Sequence, residues 1–207
     1  MTIGERYDTI LDAALTEFAR RGVHQASIRD IARAARLSLA GLYHYVGSKD
    51  ELLFLVLDRS LDTLDAMTRA ALATAATPET RLLALVRAHL QFGFHHADAL
   101  RVMNRDWELV DAAHRGDIVA KRRAYMERWL AVLRDLDPHA RSHRALFSAA
   151  NVLLGMLNGI AVPAFLKGAD EVRHLAAEVG ALFLYGFLER AMHGDDPAAV
   201  AGERHET

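Results

Sequence analysis

Ser27-Ile28-Arg29-Asp30-Ile31-Ala32-Arg33-Ala34-Ala35-Arg36-Leu37-Ser38-Leu39-Ala40-Gly41-Leu42-Tyr43-His44-Tyr45-Val46-Gly47-Ser48-Lys49 is the stretch that decides the fold. Ser27 is placed to cap a short helix in which Ile28, Ile31, Ala32 and Ala35 share one face. Ala32 is small where a second helix has to cross closely. Beyond Arg36-Leu37, Ser38 is placed to cap that second helix, over roughly residues 39–45. Two short helices, a tight turn and a small residue at the crossing predict a helix-turn-helix, whose second helix enters the major groove of DNA. The charge agrees. Between residues 20 and 49, six basic side chains (Arg20, Arg21, Arg29, Arg33, Arg36, Lys49) stand against one acid, Asp30, on a chain whose net charge is −2. A basic island on a near-neutral protein suits a local nucleic-acid footprint and excludes a general polyanion binder.

Working outward, Glu5 to Arg21 reads as a helix with Ile10, Leu11, Ala14, Leu15 and Phe18 on one stripe, closed by Gly22. Its acids lie in the early turns and Arg20-Arg21 in the last, as the helix dipole favours. On the other side, Gly47 breaks the second short helix, and Ser48-x-x-Glu51 reads as a capping box opening a helix into the low 70s. Thr77-Pro78 is a further start, a capping residue followed by proline at the first helical position. That helix fades near His95-His96. Helices over about 97–109 and 111–135 follow, and Asp137-Pro138 repeats the start signal. From Leu146 to Ile160 almost no polar face is left, which demands cover on every side. A last helix runs from Asp170 to about Met192. The chain is therefore expected to be all-α, with about nine helices: a helix-turn-helix unit over 1–50, a larger helical unit over 51–193, and a tail over 194–207. The tail lacks apolar weight and reads as disordered.

The central motif resembles the TetR family of bacterial transcriptional regulators. The matching residues are Ser27 to Ala32, Leu37-Ser38, Leu42-Tyr43-His44-Tyr45-Val46 and Ser48-Lys49-Asp50-Glu51-Leu52-Leu53, within an agreement spanning roughly Glu5 to Leu53. One departure stands in the turn, where the family usually has glycine and this chain has Arg36. The resemblance implies that Tyr43, His44 and Lys49 contact DNA phosphates. Ser38, Leu39, Ala40 and Gly41 would face base edges, with Ser27 and Arg29 reaching from the first helix; leucine and alanine can touch thymine methyls. Farther on, His89-Leu90-Gln91-Phe92, His96 to Met103 and Leu153-Leu154-Gly155-Met156-Leu157-Asn158 look like the C-terminal domains of relatives that sense acyl-CoA thioesters. Those relatives often continue with aromatics after the Asn, where this chain has Gly159-Ile160-Ala161-Val162-Pro163.

Composition narrows the function classes. The chain of 207 residues contains no cysteine, so disulfides and thiolate metal sites are excluded. No apolar run approaches the ~18 residues of a membrane span, and a cytoplasmic protein is expected. No Ser-His-acid set or glycine-rich phosphate loop stands out, so no enzyme is expected and no cofactor is implied. The rival reading is a helical-bundle metalloenzyme. It rests on Glu171-x-x-His174, on His139 and His143, and on Asp111-x-x-His114, and it lacks the second Glu-x-x-His a di-iron bundle requires. A DNA-binding protein with no ligand is a third reading, opposed by the long aromatic-bearing C-terminal part.

The residues expected to line an effector cavity are His89, Phe92, Met103, Trp107, Tyr125, Trp129, Asn151, Met156 and Asn158. Arg101, Arg105, Arg122 and Arg123 are available as cations at its mouth. Leu153, Leu157, Val179 and Phe183 are the residues expected at a homodimer interface made by the last two helices. The whole reads as a homodimeric repressor, released from a palindromic DNA operator by a small apolar ligand such as an acyl-CoA.

Overall fold

Caps written in the sequence set most of the element boundaries. The computed structural model describes residues 2–137, 142–161 and 168–193. Among them nine α-helices are present and no strand. Helix α1 spans Ile3–Arg21 and starts two residues ahead of expectation, because Thr2 and Glu5 form a reciprocal capping box. Thr2 accepts from the Glu5 N–H at 3.2 Å, and the Glu5 carboxylate accepts from the Thr2 N–H at 2.7 Å. Gly22, at φ 79°, ends the helix where a side chain would be strained.

Helix α2 spans Ile28–Ala34 and α3 spans Leu39–Tyr43. Ser27 does not cap α2 with its side chain as the sequence suggested; its carbonyl starts the helical ladder instead. Ser38 does cap α3, accepting from the Gly41 N–H at 3.0 Å. The helix is shorter than the 39–45 expected, since His44 and Tyr45 leave it as a turn. Between the two, Leu37 N–H reaches back to the Ala32 carbonyl at 2.8 Å and Arg36 N–H to that of Arg33 at 3.0 Å. This is a Schellman motif, and it places Arg36 in the left-handed region at φ 57°. A non-glycine residue there costs about 1–2 kcal/mol. Arg36→Gly should therefore stabilise the chain by about 1 kcal/mol and raise Tm by about 2–4 °C in a calorimetric scan. An unchanged or lower Tm would mean that Arg36 makes compensating contacts.

Helix α4 spans Lys49–Ala73. Ser48 accepts from the Glu51 N–H at 3.0 Å, but the Glu51 carboxylate reaches one residue further back than a capping box, to the Gly47 N–H at 2.5 Å. The remaining helices are α5 (Pro78–His95), α6 (Ala97–Arg105), α7 (Arg115–Leu136), α8 (His143–Ile160) and α9 (Ala169–His193), with a short 3-10 turn at Trp107–Leu109. The helix expected to run to about 109 stops at Arg105. Beyond it Asp106 is buried and ion-paired with Arg105 at 2.7 Å.

Helices α1–α3 close around Ile10, Phe18, Ile31 and Leu42, all without exposure, and Leu52 and Leu53 of α4 complete that core. From there α4 runs into the second part of the molecule and packs on α5, α6 and α7, while α1 also meets α6. Helix α5 is the axis of the second part, touching α4, α6, α7, α8 and α9. Gly93 permits one of these approaches: a Cβ there would lie 2.5 Å from the Ala161 Cβ and 2.9 Å from its carbonyl oxygen. Among the described residues no helix is long and apolar enough to cross a membrane. Pro138, His139, Val162, Pro163 and the expected tail over 194–207 lie outside the described residues.

Candidate nucleic-acid interface and effector cavity

The exposed edge of the helix-turn-helix is made by Arg29 of α2 and by Ser38, Ala40, Tyr43 and His44, with Leu39 and Gly41 half-buried beside them. Leu42, on the opposite side of α3, is fully buried and anchors the helix. Gly41 keeps the cap intact, since a Cβ there would come within 3.1 Å of the Ser38 hydroxyl. Arg33 leans on Asp30 at 2.7 Å and remains largely exposed. Lys49 departs from the expected phosphate contact. Its ammonium faces inward, 2.9 Å from the carbonyl of Val23, 3.4 Å from that of His24 and 3.5 Å from that of Ala26. It holds the loop between α1 and α2 because that loop brings three carbonyls over the first turn of α4. Ser27, half-buried behind Arg29, stands at the margin of the exposed edge.

A cavity of about 450 Å³ opens between α4, α5, α6, α7 and α8. Of the residues the sequence singled out, His89, Met103, Trp107, Arg122, Tyr125 and Asn158 line it, and so does Arg123 at the mouth. Others do not. Phe92 and Trp129 are fully buried in the core behind the cavity. Asn151 is exposed and donates its amide to the Phe147 carbonyl at 2.8 Å on the outer side of α8. Met156 is also on that outer side. Arg101 pairs with Asp98 at 3.1 Å. The apolar wall is completed by residues that sequence reasoning missed, among them Leu61 and Leu64 of α4, Val119 and Met126 of α7, and Phe147 and Leu154 of α8. Their helical spacing looks like ordinary core, and only the crossing of the helices turns them toward a cavity.

The polar groups of the cavity converge on His89, which is 2% exposed. Its Nδ1 lies 2.8 Å from the Tyr125 hydroxyl and its Nε2 3.2 Å from the Asn158 side-chain oxygen. Trp129 stands edge-on to both rings, with centroids 6.5 Å from His89 and 6.2 Å from Tyr125. Burial lowers the His89 imidazole from its ordinary value to about 4, and pushes the Tyr125 hydroxyl up. His89 is therefore neutral at pH 7. At the mouth, the Arg122 guanidinium lies 4.5 Å from the Trp107 ring centroid and donates to the Met103 carbonyl at 3.3 Å. Burial lowers it from the ordinary arginine value.

The buried neutral histidine has a measurable consequence. As pH falls through 6.5 the unfolded chain protonates this imidazole, whereas the folded chain resists down to about 4, so stability is lost over that window. The loss attributable to His89 is about 3 kcal/mol by pH 4. Urea unfolding at pH 7 and pH 4 should show a smaller drop in a His89→Gln variant; equal drops in both proteins would refute a neutral buried His89.

Charged contacts tie the cavity helices to the DNA-binding part. Lys121 of α7 lies 2.5 Å from Asp58 and 2.6 Å from Asp62 of α4, and Arg128 pairs with Asp65 one turn along. Arg59 of α4 binds Asp12 of α1 at 2.6 Å. Arg105, at the end of α6, donates to the Phe18 carbonyl at 2.5 Å and so caps the C-terminus of α1. Met103 and Asn104, immediately before it, line the cavity. His114, preceding α7, stacks on Phe54 of α4 at 4.2 Å and pairs with Asp111 at 2.9 Å.

The residues expected to face a second subunit need a change of register. Leu153 and Leu157 have no exposure and Val179 has 5%, all within one chain; Phe183 is half-buried. The apolar side chains left outside are instead Phe147, Val152 and Met156 on α8, and Leu182 and Tyr185 on α9. Helix α8 is apolar nearly all round, so its composition does not distinguish the face that meets α5 and α7 from the face left uncovered.

Comparison with known proteins follows the same division of the chain. Residues 10–56 match the family model described as bacterial regulatory proteins, tetR family, and residues 75–187 match the tetracyclin repressor-like C-terminal domain. The HTH-type transcriptional repressor KstR2 of Mycobacterium tuberculosis is 29% identical over 132 residues, covering 63% of this chain and 66% of its own length. The chain thus spans just under two thirds of that curated relative. A TetR-family transcriptional regulator from Bordetella parapertussis 12822 superposes with a TM-score of 0.81 at 30% identity, over 88% of this chain and 96% of its own. AibR, solved in complex with isovaleryl coenzyme A and operator DNA, shares the fold with a TM-score of 0.75 at 23% identity, over 86% and 98% of the two chains. With both parts of the chain matched and the helix-turn-helix in place, this protein belongs to the TetR family of transcriptional regulators.

Proposed function

We propose that the protein is a homodimeric, cytoplasmic repressor that occupies a palindromic operator and is released by a small apolar effector carrying an anionic group, of the acyl-CoA class. Residues 1–50 are the DNA-binding unit, and 51–193 hold the effector and form the dimer. The observation that carries this reading is the double attachment of the cavity helices. The same α6 and α7 that line the cavity grip α1 through Arg105 and α4 through Lys121 and Arg128. A ligand that reseats these helices therefore shifts the helix-turn-helix. Two recognition helices must lie about 34–36 Å apart to enter successive major grooves, so a small tilt is enough to spoil the fit. An effector that favours the released state 100-fold contributes about 2.7 kcal/mol.

In the DNA complex Arg29, Ser38, Leu39, Ala40 and Gly41 face the bases, while Tyr43 and His44 reach phosphates. The apolar wall suits an acyl chain, and Arg122 and Arg123 suit an anion at the mouth. The dimer forms through the uncovered faces of α8 and α9. The test has two stages. Duplexes selected from a random pool should share a two-fold symmetric sequence, bound less tightly as salt rises. A gel shift on that sequence with acyl-CoAs, the matching free acids and CoA alone should then show release by the thioesters. Recovery of no palindrome rejects the operator reading, and release by free acids but not thioesters rejects the CoA group.

A further inference from the structure

The polar floor of the cavity has a hydrogen-bonding arithmetic that constrains what it accepts. A neutral imidazole has one donor nitrogen and one acceptor nitrogen. The Asn158 side-chain oxygen can only accept, so His89 Nε2 carries the proton and Nδ1 is bare. Tyr125 must then donate its hydroxyl proton to Nδ1, 2.8 Å away. Two capacities remain unused, both on residues that line the cavity. Asn158 keeps two amide N–H donors with no partner among the described residues, and the Tyr125 oxygen keeps its lone pairs. Turning the amide over exchanges the roles without changing the sum: the amide then donates to Nε2, His89 Nδ1–H donates to Tyr125, and the tyrosine O–H faces the cavity beside the Asn158 oxygen. Either way the floor presents one donor and one acceptor side by side.

A group that answers both at once is a hydroxyl. A ketone or an ether answers only the donor, and a methylene answers neither. We propose that the cavity selects an effector bearing an aliphatic hydroxyl on its apolar part, held between Asn158 and Tyr125 and kept in register by His89. This deepens the preceding reading, since it rests on this cavity being the effector site. Leaving a buried donor and acceptor unmet makes a plain hydrocarbon bind about 10-fold to 100-fold more weakly than its hydroxylated counterpart.

The experiment is isothermal titration of the full chain with octanoyl-CoA, 3-hydroxyoctanoyl-CoA and 8-hydroxyoctanoyl-CoA. A CoA-free pair of isomers, 1-octanol and heptyl methyl ether, is titrated in parallel. A hydroxylated thioester should bind about 10-fold to 100-fold tighter than octanoyl-CoA, and the alcohol tighter than the ether. Asn158→Leu and Tyr125→Phe should each remove the preference while keeping or raising the affinity for octanoyl-CoA, with thermal melts verifying that both variants fold. Equal affinity for alcohol and ether in the unaltered protein overturns the proposal, as does a preference that survives in both variants. If no thioester binds but the alcohol still outbinds the ether, the CoA group falls and hydroxyl selection stands. If no probe binds, both fall.

Discussion

Leu182→Glu should convert the protein from a dimer to a monomer and weaken operator binding by about 10²–10⁴-fold, the advantage two linked half-site contacts have over one. Leu182 is 69% exposed and Tyr185 74% on α9, beside Val152 at 61% on α8. Side chains of this size, gathered on two neighbouring helices, form the kind of uncovered patch that marks an interaction surface. A carboxylate inside such an interface is stranded away from water without a cation, at a cost of several kcal/mol. On the free monomer the same glutamate is harmless, because position 182 is solvated. Sedimentation of the variant, together with titration of the operator, gives both readouts. Leu157→Glu is the contrasting variant. Leu157 has no exposure within one chain, so its replacement should unfold the C-terminal part rather than separate subunits. A Leu182→Glu protein that remains a stable dimer would place the interface elsewhere.

Leu42→Ala is the second large effect. Helix α3 has five residues, too few to hold a helix in water by its own hydrogen bonds. It stands because Ser38 caps it and Leu42, with no exposure, seats it in the core of α1–α4. Removing a buried leucine side chain costs about 2–5 kcal/mol, and here the loss falls on the element that would enter the groove. Operator binding should disappear, while cavity ligands, more than one helix away, should still bind with unchanged affinity. Chemical denaturation and an effector titration on the same variant check the two halves of that statement. Retained operator binding would show that α3 is not held mainly through Leu42.

The helix-turn-helix was legible because its signals are local. Ser38 caps the residues next to it, Gly22 and Gly47 break helices where they stand, and the charge island lies within thirty consecutive positions. Even the oddity at Arg36 could be read, since a turn that usually has glycine forces φ positive whatever residue occupies it. The parts that misread were those decided by a distant partner. Lys49 looked like a free cation at a helix start, yet the carbonyls of Val23, His24 and Ala26 arrive from a loop more than twenty residues away and take its ammonium. Ser27 had the chemistry of a cap without the side-chain geometry.

The cavity shows the same limit more strongly. His89, Tyr125 and Asn158 were each visible as polar or aromatic residues on apolar helices, but nothing in their spacing said that they meet. Phe92 and Trp129 have the same character and are plain core, and Asn151, one helical face away from Asn158, points outward. On α8 and α9 the sequence determined that both helices are too apolar for a solitary chain. It could not determine the register, because a helix apolar on all sides carries no periodic mark of which face turns inward. That choice is made by packing: α5 and α7 take Leu153 and Leu157, and what remains, Val152 and Met156 with Leu182 and Tyr185, is left for a partner. Backbone caps, helix lengths and charge islands are set by neighbours in sequence, whereas a cavity or an interface is the product of which helices cross and at what rotation.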